Sequence, residues 1–183
     1  MKGNKVFGKT NLIETNFLMD KIILKLAKQR KQIIYGARSI EKQAGLFARS
    51  TKDYDIFDKN PQKSAKILHK VLDKKAGFDY FYVAPAKHKG TWKVKGSGND
   101  GKKGTEDDES IADYSGSFTG LPNNVKTVTR NGVRYRLLKY ELQRKIAVTK
   151  DPEYAFRKKK DQDDINRIKA FIKIKKLIGG EVG

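Results

Sequence analysis

Asp53 and Asp55 stand two apart in the run Thr51-Lys52-Asp53-Tyr54-Asp55-Ile56-Phe57. Side chains alternate along a strand, so residues two apart face the same way and can share one cation. Two carboxylates so placed repel each other unless a metal ion or a basic side chain lies between them. Mg²⁺ takes hard oxygen ligands of this kind and fills its remaining positions with water and substrate phosphates. A third carboxylate from a neighbouring strand would complete a two-metal clamp. Asp113, between Ala112 and Tyr114 in a run otherwise fit for a strand, is the candidate. The nearby Asp107, Asp108 and Glu109 read as a solvated acidic tip. Other chemistries have little to work with. There is no cysteine, which removes thiol catalysis and thiolate metal sites. The two histidines, His69 and His88, lie far apart in sequence, which argues against a histidine-based centre.

The elements that must position these carboxylates follow from apolar spacing. Leu18, Ile22 and Leu26 recur every fourth residue, with Met19 and Ile23 beside them, and predict a helix over about 16–30 after a polar, loose start. Ile33-Ile34-Tyr35 reads as a short buried strand that turns sharply at Gly36, and a helix is expected from about Ser39. The Asp53–Phe57 run is a second strand. Asn60-Pro61 reads as a helix cap followed by proline at the first helical position. Ala65, Leu68 and Leu72 are the expected buried face of that helix, and Gly77 ends it. Strands are expected at 78–83, 92–95 and 111–114, with the Gly-, Asp- and Lys-rich stretch 96–110 as a mobile hairpin tip. After a loop at 116–124, the segments 125–128 and 133–135 form either a hairpin around Asn131-Gly132 or a strand leading into the next helix. Leu138, Leu142 and Ile146 mark a helix closed by Asp151-Pro152. A last helix uses Ile165, Ile168 and Ile172 and stops at Gly179-Gly180. The expected architecture is α/β (α+β): a small mixed sheet with helices packed on it, a core over 1–136 and C-terminal helices over 137–183.

The order of these pieces resembles the nucleotidyltransferase superfamily that includes DNA polymerase beta, CCA-adding enzymes and the abortive-infection type toxins. The resemblance rests on IIYGARS, TKDYDIF and IADYS: an apolar strand ending in glycine, a helix, Asp-x-Asp with apolar neighbours, and a later lone Asp. Arg157, Lys160, Asp161 and Asp164 also resemble the R-x-x-K-D-x-x-D helix of compact toxin-like members. The resemblance implies a small mixed nucleotidyltransferase-type sheet. Asp53 and Asp55 would bind the Mg²⁺ that bridges the β- and γ-phosphates of a nucleoside triphosphate, and with Asp113 they would bind a second Mg²⁺ near the acceptor hydroxyl. Gly36 would let the backbone cradle the triphosphate. Arg38 would meet the same phosphates or else form a surface ion pair, and Lys160 would reach across the site or else pair between helices. The sequence departs from the pattern at Ala37, where Gly or Ser is usual; Ser39, one helical turn further on, is the candidate to supply the missing hydroxyl. The interval from Gly36 to Asp53 is also longer than usual.

Charge points to the partner. The 183 residues hold 41 Lys+Arg against 21 Asp+Glu, a net +20. Residues 96–110 carry two lysines and five acids, a local −3, so the remainder is +23. Such a field concentrates polyanions and makes their binding sensitive to salt. The basic runs at 144–150, 157–160 and 167–176 are candidates to track a nucleic-acid backbone, or are solvated helix faces. Trp92, Tyr80, Phe81 and Tyr82 stack on bases or fill the sheet core. No stretch approaches the roughly 18 apolar residues of a membrane span, and the start lacks a signal-peptide pattern. The expected location is the cytoplasm or the inside of a virus particle. The expected function is Mg²⁺-dependent transfer of a nucleoside monophosphate to an acceptor hydroxyl, with RNA such as a tRNA end favoured. A viral or toxin origin, with an antitoxin or particle partner, follows by analogy alone. The alternative is a basic nucleic-acid-binding or particle-associated protein that uses the same fold with little or no turnover.

Overall fold

A computed structural model describes residues 11–117 and 126–180. Along the chain run α1 (Asn11–Gln29), β1 (Ile33–Tyr35), α2 (Gly36–Ala44), a 3-10 turn at Gly45–Phe47, β2 (Tyr54–Phe57), α3 (Pro61–Ala76), β3 (Phe81–Pro85), β4 (Thr91–Gly96) and β5 (Glu109–Ser115). Then come β6 (Thr127–Arg130), β7 (Val133–Arg136), α4 (Leu138–Lys150), a 3-10 segment at Pro152–Arg157 and α5 (Lys158–Leu177). The loop expected at 116–124 and the first ten residues lie mostly outside the described residues. The strands form one mixed sheet in the order β3-β4-β5-β2-β1-β7-β6. β2 runs parallel to β5, and β1 parallel to β7, while the other neighbours are antiparallel. Among the described residues, five α-helices on a seven-stranded mixed sheet make the fold α+β.

One face of the sheet is the main core. Ile34, Tyr54, Ile56, Val94, Ala112, Tyr114, Val133 and Tyr135 project there and meet Ile23 and Ala27 of α1 and Ala65, Leu68 and Leu72 of α3. The buried line of α1 is centred on Ile23 and Ala27 rather than on Leu18, Ile22 and Leu26, and Leu18 is 47% exposed. α3 buries the expected face, but Asn60 makes no side-chain cap. Asp58 fixes the entry to α3 instead: it accepts from the Asn60 N–H at 2.6 Å, from Ser64 Oγ at 2.8 Å and from Gln32 Nε2 at 2.7 Å.

On the other face a second cluster of Ile40, Ala44, Leu138 and Ile168 joins α2, α4 and α5, with Phe47, Leu142, Phe171 and Ile172 at its margin. The hairpin alternative holds for β6 and β7. Asn131 and Gly132 both have positive φ, 52° and 80°, as a two-residue primed turn requires. β3 begins later than expected: Asp73 Oδ1 takes the N–H groups of Tyr80 and of Phe81, the first strand residue (3.0 and 2.8 Å). Pro85 is tolerated at the end of β3 because β3 is an edge strand. The acidic stretch 96–110 is internally bonded: Asp107 Oδ2 accepts from the N–H groups of Asn99 and Asp100. Asp108 is not a solvated tip residue. Its side chain is fully buried, accepting from Tyr82 Oη and from the Gly104 N–H at 2.7 Å.

Candidate active site

The strand alternation that sends Tyr54, Ile56, Ala112 and Tyr114 into the core sends Asp55 and Asp113 to the opposite face. They are direct partners across the parallel β2–β5 pair. Along the same row, Tyr35 of β1 lies opposite Asp55, and Lys93 of β4 lies opposite Asp113. Lys93 Nζ donates to Asp113 Oδ2 at 2.8 Å, and Ser110 Oγ to Asp113 Oδ1 at 3.1 Å. Asp53 sits one residue before β2 and accepts from Thr51 Oγ1 at 2.6 Å. Asp55 is the electrostatic centre of the group. Burial, opposed by Arg144 and reinforced by the charges of Asp53 and Asp113, raises its carboxyl to about 6. Lys93 and Ser110 hold Asp113, Thr51 holds Asp53, and the three carboxylates do not close to within 4.8 Å of one another. Among the described residues, the one His/Asp/Glu trio that does so is His69, Asp73 and Asp79. That trio is already partnered: His69 Nε2 meets Asp73 Oδ2 at 2.7 Å, and Lys103 Nζ meets Asp79 at 2.6 Å.

Gly36 lies against Asp55, at φ +68°, and a Cβ there would collide with Asp55 Oδ2. The Gly36 N–H, at the start of α2, donates to Glu141 Oε1 at 3.0 Å. Glu141 is fully buried, with Arg144 Nε at 3.4 Å and Arg136 Nε at 3.9 Å. Lys145, also buried, bridges Asp161 and Asp164, both at 2.7 Å, and these are held in turn by Arg157 (2.7 Å) and Arg49 (3.1 Å). Burial works against ionisation of Asp161, but Lys145 and Arg157 outweigh it and hold the carboxyl below its ordinary range. The other expected residues divide. Lys160 is exposed and close enough for Asp53 to act on its ammonium, which burial, Arg49 and Arg157 together lower. Arg38 is not with the carboxylates: it stacks on the Tyr54 ring at 4.5 Å and pairs with Asp20 (3.5 Å) and Glu41 (3.3 Å). Ser39 is fully buried, and its Oγ donates to the Arg136 carbonyl at 2.6 Å.

The fold has counterparts among solved structures. The polyadenylate synthase of Megavirus superposes on 85% of this chain with a TM-score of 0.67 at 19% identity, using 31% of its own length. The fold is of the nucleotidyltransferase type. JHP933 from Helicobacter pylori matches 82% of the chain with a TM-score of 0.50 at 12% identity, over 62% of its own length. The chain thus spans about a third and under two thirds of these two proteins. No family model and no curated protein sequence matches it.

Three buried residues beside the candidate site, Glu141, Arg144 and Lys145, were not expected from the sequence. A signal was present. Leu138, Glu141, Lys145 and Val148 recur at helical spacing, so a charged pair occupies the buried stripe of α4. For the same reason the basic run 144–150 is not a free surface track, since Arg144 and Lys145 are both buried.

Proposed function

We propose that this protein transfers a nucleoside monophosphate from a nucleoside triphosphate to an acceptor hydroxyl, with RNA, such as a tRNA end, as the acceptor. The observation that supports this reading most is the pairing of Asp55 with Asp113 on one sheet face, beside a glycine that leaves no room for a Cβ. The donor chemistry fits Mg²⁺: the three are hard carboxylates, and Asp55, raised to about 6 by burial and by its acidic neighbours, would gain from a cation that drew them together. Asp53, Asp55 and Asp113 would hold it. Bound there, Mg²⁺ would neutralise phosphate charge and favour the ionised acceptor oxygen.

The chain's own residues do the rest. Lys93 pairs with Asp113 at 2.8 Å, and the Arg144 guanidinium opposes the rise that burial imposes on the Asp55 carboxyl. Lys160, exposed and within the field of Asp53, would meet phosphate oxygens at the rim. In the reaction the acceptor oxygen bonds to the α-phosphorus, the bond from that phosphorus to the β-phosphate oxygen breaks, and pyrophosphate leaves. The acceptor's proton passes to solvent or to a carboxylate of the site.

A second reading, a nucleic-acid-binding protein on this fold with little turnover, draws on two specific contacts. The Gly36 N–H is already engaged by Glu141, and the Ser39 hydroxyl by the Arg136 carbonyl, so two groups expected to cradle phosphate are occupied. Incubation with each α-labelled triphosphate, Mg²⁺ and total RNA separates the two. Label in an RNA species supports transfer; retention of RNA without label from any of the four triphosphates supports the binding protein.

A further inference from the structure

α3 buries Ser64, Ala65, Leu68 and Leu72 on the sheet face opposite the carboxylates. Its outward face gathers Lys63, Lys66, Lys70 and Lys74, all exposed, at intervals of three, four and four residues. In sequence these lysines are scattered among Ser, Ala, Ile, Leu, His, Val and Asp and form no run; the helical repeat alone brings them into line. The rise of 1.5 Å per residue makes the line roughly 16 Å long. Among the described residues none of the four has a carboxylate partner. The one acid of the helix, Asp73, is committed to His69 and to the backbone of Tyr80 and Phe81. Like charges three and four apart destabilise a helix, so the stripe is a standing cost that a polyanion would relieve. A shallow cavity of about 370 Å³ opens among Gln62, Lys63, Lys66, Ile67 and Lys70.

We propose that the outer face of α3 is a binding site for the phosphate backbone of a single RNA strand, distinct from the carboxylate site. The choice of RNA as the polyanion rests on the acceptor reading above; the site itself rests on the stripe. A linear row of cations matches a linear polyanion. An anionic membrane fits less well, because an interfacial helix needs several large apolar residues beside its cations, and α3 turns Leu68 and Leu72 into the core and leaves only Ile67 and Val71, both half-buried, beside the lysines. α5 is the obvious rival, with Lys169, Lys173 and Lys176 exposed, but exposed Ile174, Leu177 and Ile178 interrupt its basic surface. An RNA held on α3 would tether the acceptor strand to the protein independently of nucleotide binding.

The test is anisotropy of a labelled single-stranded oligoribonucleotide with the full chain, without triphosphate, over a range of salt. The variant Lys63→Glu/Lys66→Glu/Lys70→Glu should bind at least about tenfold more weakly at low salt. Its log–log salt slope should be shallower by about 2, as expected for three lost contacts to a single strand. The corresponding Lys→Gln set should show a smaller loss of the same kind, with unchanged circular dichroism. Lys169→Glu/Lys173→Glu/Lys176→Glu should stay within about threefold of the parent. Affinity of the α3 variant within twofold of the parent, or a larger loss from the α5 variant, would overturn the proposal. So would binding of phosphatidylserine vesicles, but not RNA, through the α3 lysines. Salt-dependent RNA binding through α3 without any nucleotide transfer would leave this site standing and remove the catalytic reading. Transfer with undiminished RNA affinity of the α3 variant would do the reverse.

Discussion

Asp55 concentrates the conflicts of the site in one side chain. Its carboxyl is raised to about 6 by burial first, against Arg144, with Asp53 and Asp113 adding to the rise. The folded protein therefore binds this proton more tightly than the unfolded chain between about pH 4 and pH 6. The group's contribution to stability is fully present below about pH 4 and is lost as pH rises through 6. Asp55→Asn, which is never charged, should raise the urea midpoint above pH 6 by the equivalent of up to about 3 kcal/mol, less whatever Arg144 loses as a partner. The difference should vanish below pH 4; a gain that persists at acid pH would show that repulsion is not its cause. Gly36 makes a second test. Gly36→Ala combines a left-handed φ with a collision against Asp55 Oδ2, so it should cost about 1–3 kcal/mol and displace the carboxylate. Transfer should then fall on the order of a hundredfold, read as kcat/KM beside a urea titration. The pairing of Asp55 with Asp113 on one face was legible in the sequence, because strand alternation sets both apart from their apolar neighbours; the place of Asp53, one residue before the strand, was not. The burial of Ser39 and the diversion of Arg38 to Tyr54 were not, because both depend on which neighbour each face of α2 meets.

At the scale of elements, α4 and α5 clamp the site through ions rather than through apolar contact alone. Lys145 holds Asp161 and Asp164 at 2.7 Å each, out of water. Lys145→Met would leave two buried carboxylates with one cation apiece, and removal of one partner from such a group costs about 3–5 kcal/mol. The expected result is a lowered urea midpoint with an unchanged slope, whereas a variant as stable as the parent would show that the cluster is solvated. Helix and strand positions followed from apolar periodicity, and the Asn131-Gly132 pair marked its hairpin by residue type. The buried ions of α4 were hidden by the same method, because counting Leu138, Leu142 and Ile146 assigns the buried face to apolar residues and the charges between them to solvent. The α3 cap failed for a related reason. Asn60 stands at the usual position, but Asp58, already held by Gln32 and Ser64, reaches the backbone first.

For the whole molecule the governing quantity is the net charge of +20, set against a local −3 in residues 96–110. If phosphate contacts dominate, RNA affinity should fall linearly on a log–log plot against salt by several counterions. Asp100→Asn with Glu106→Gln, both exposed, should leave affinity equal or tighter; a clear loss would place the acidic stretch in the RNA contact. The charge was readable at once from composition. Its useful distribution was not, since burial removes Arg144 and Lys145 from the surface while helical geometry assembles the α3 stripe from residues that form no run.

The most direct test of the central claim compares wild type with Asp55→Asn for incorporation of label from an α-labelled triphosphate into RNA with Mg²⁺ present. Loss of clamped charge at the transition state predicts a drop of on the order of a hundredfold or more, with RNA affinity, carried elsewhere on the surface, within a few-fold of wild type. If the wild-type protein labels no RNA from any triphosphate and Asp55→Asn binds RNA indistinguishably, the paired aspartates do not perform the transfer assigned to them.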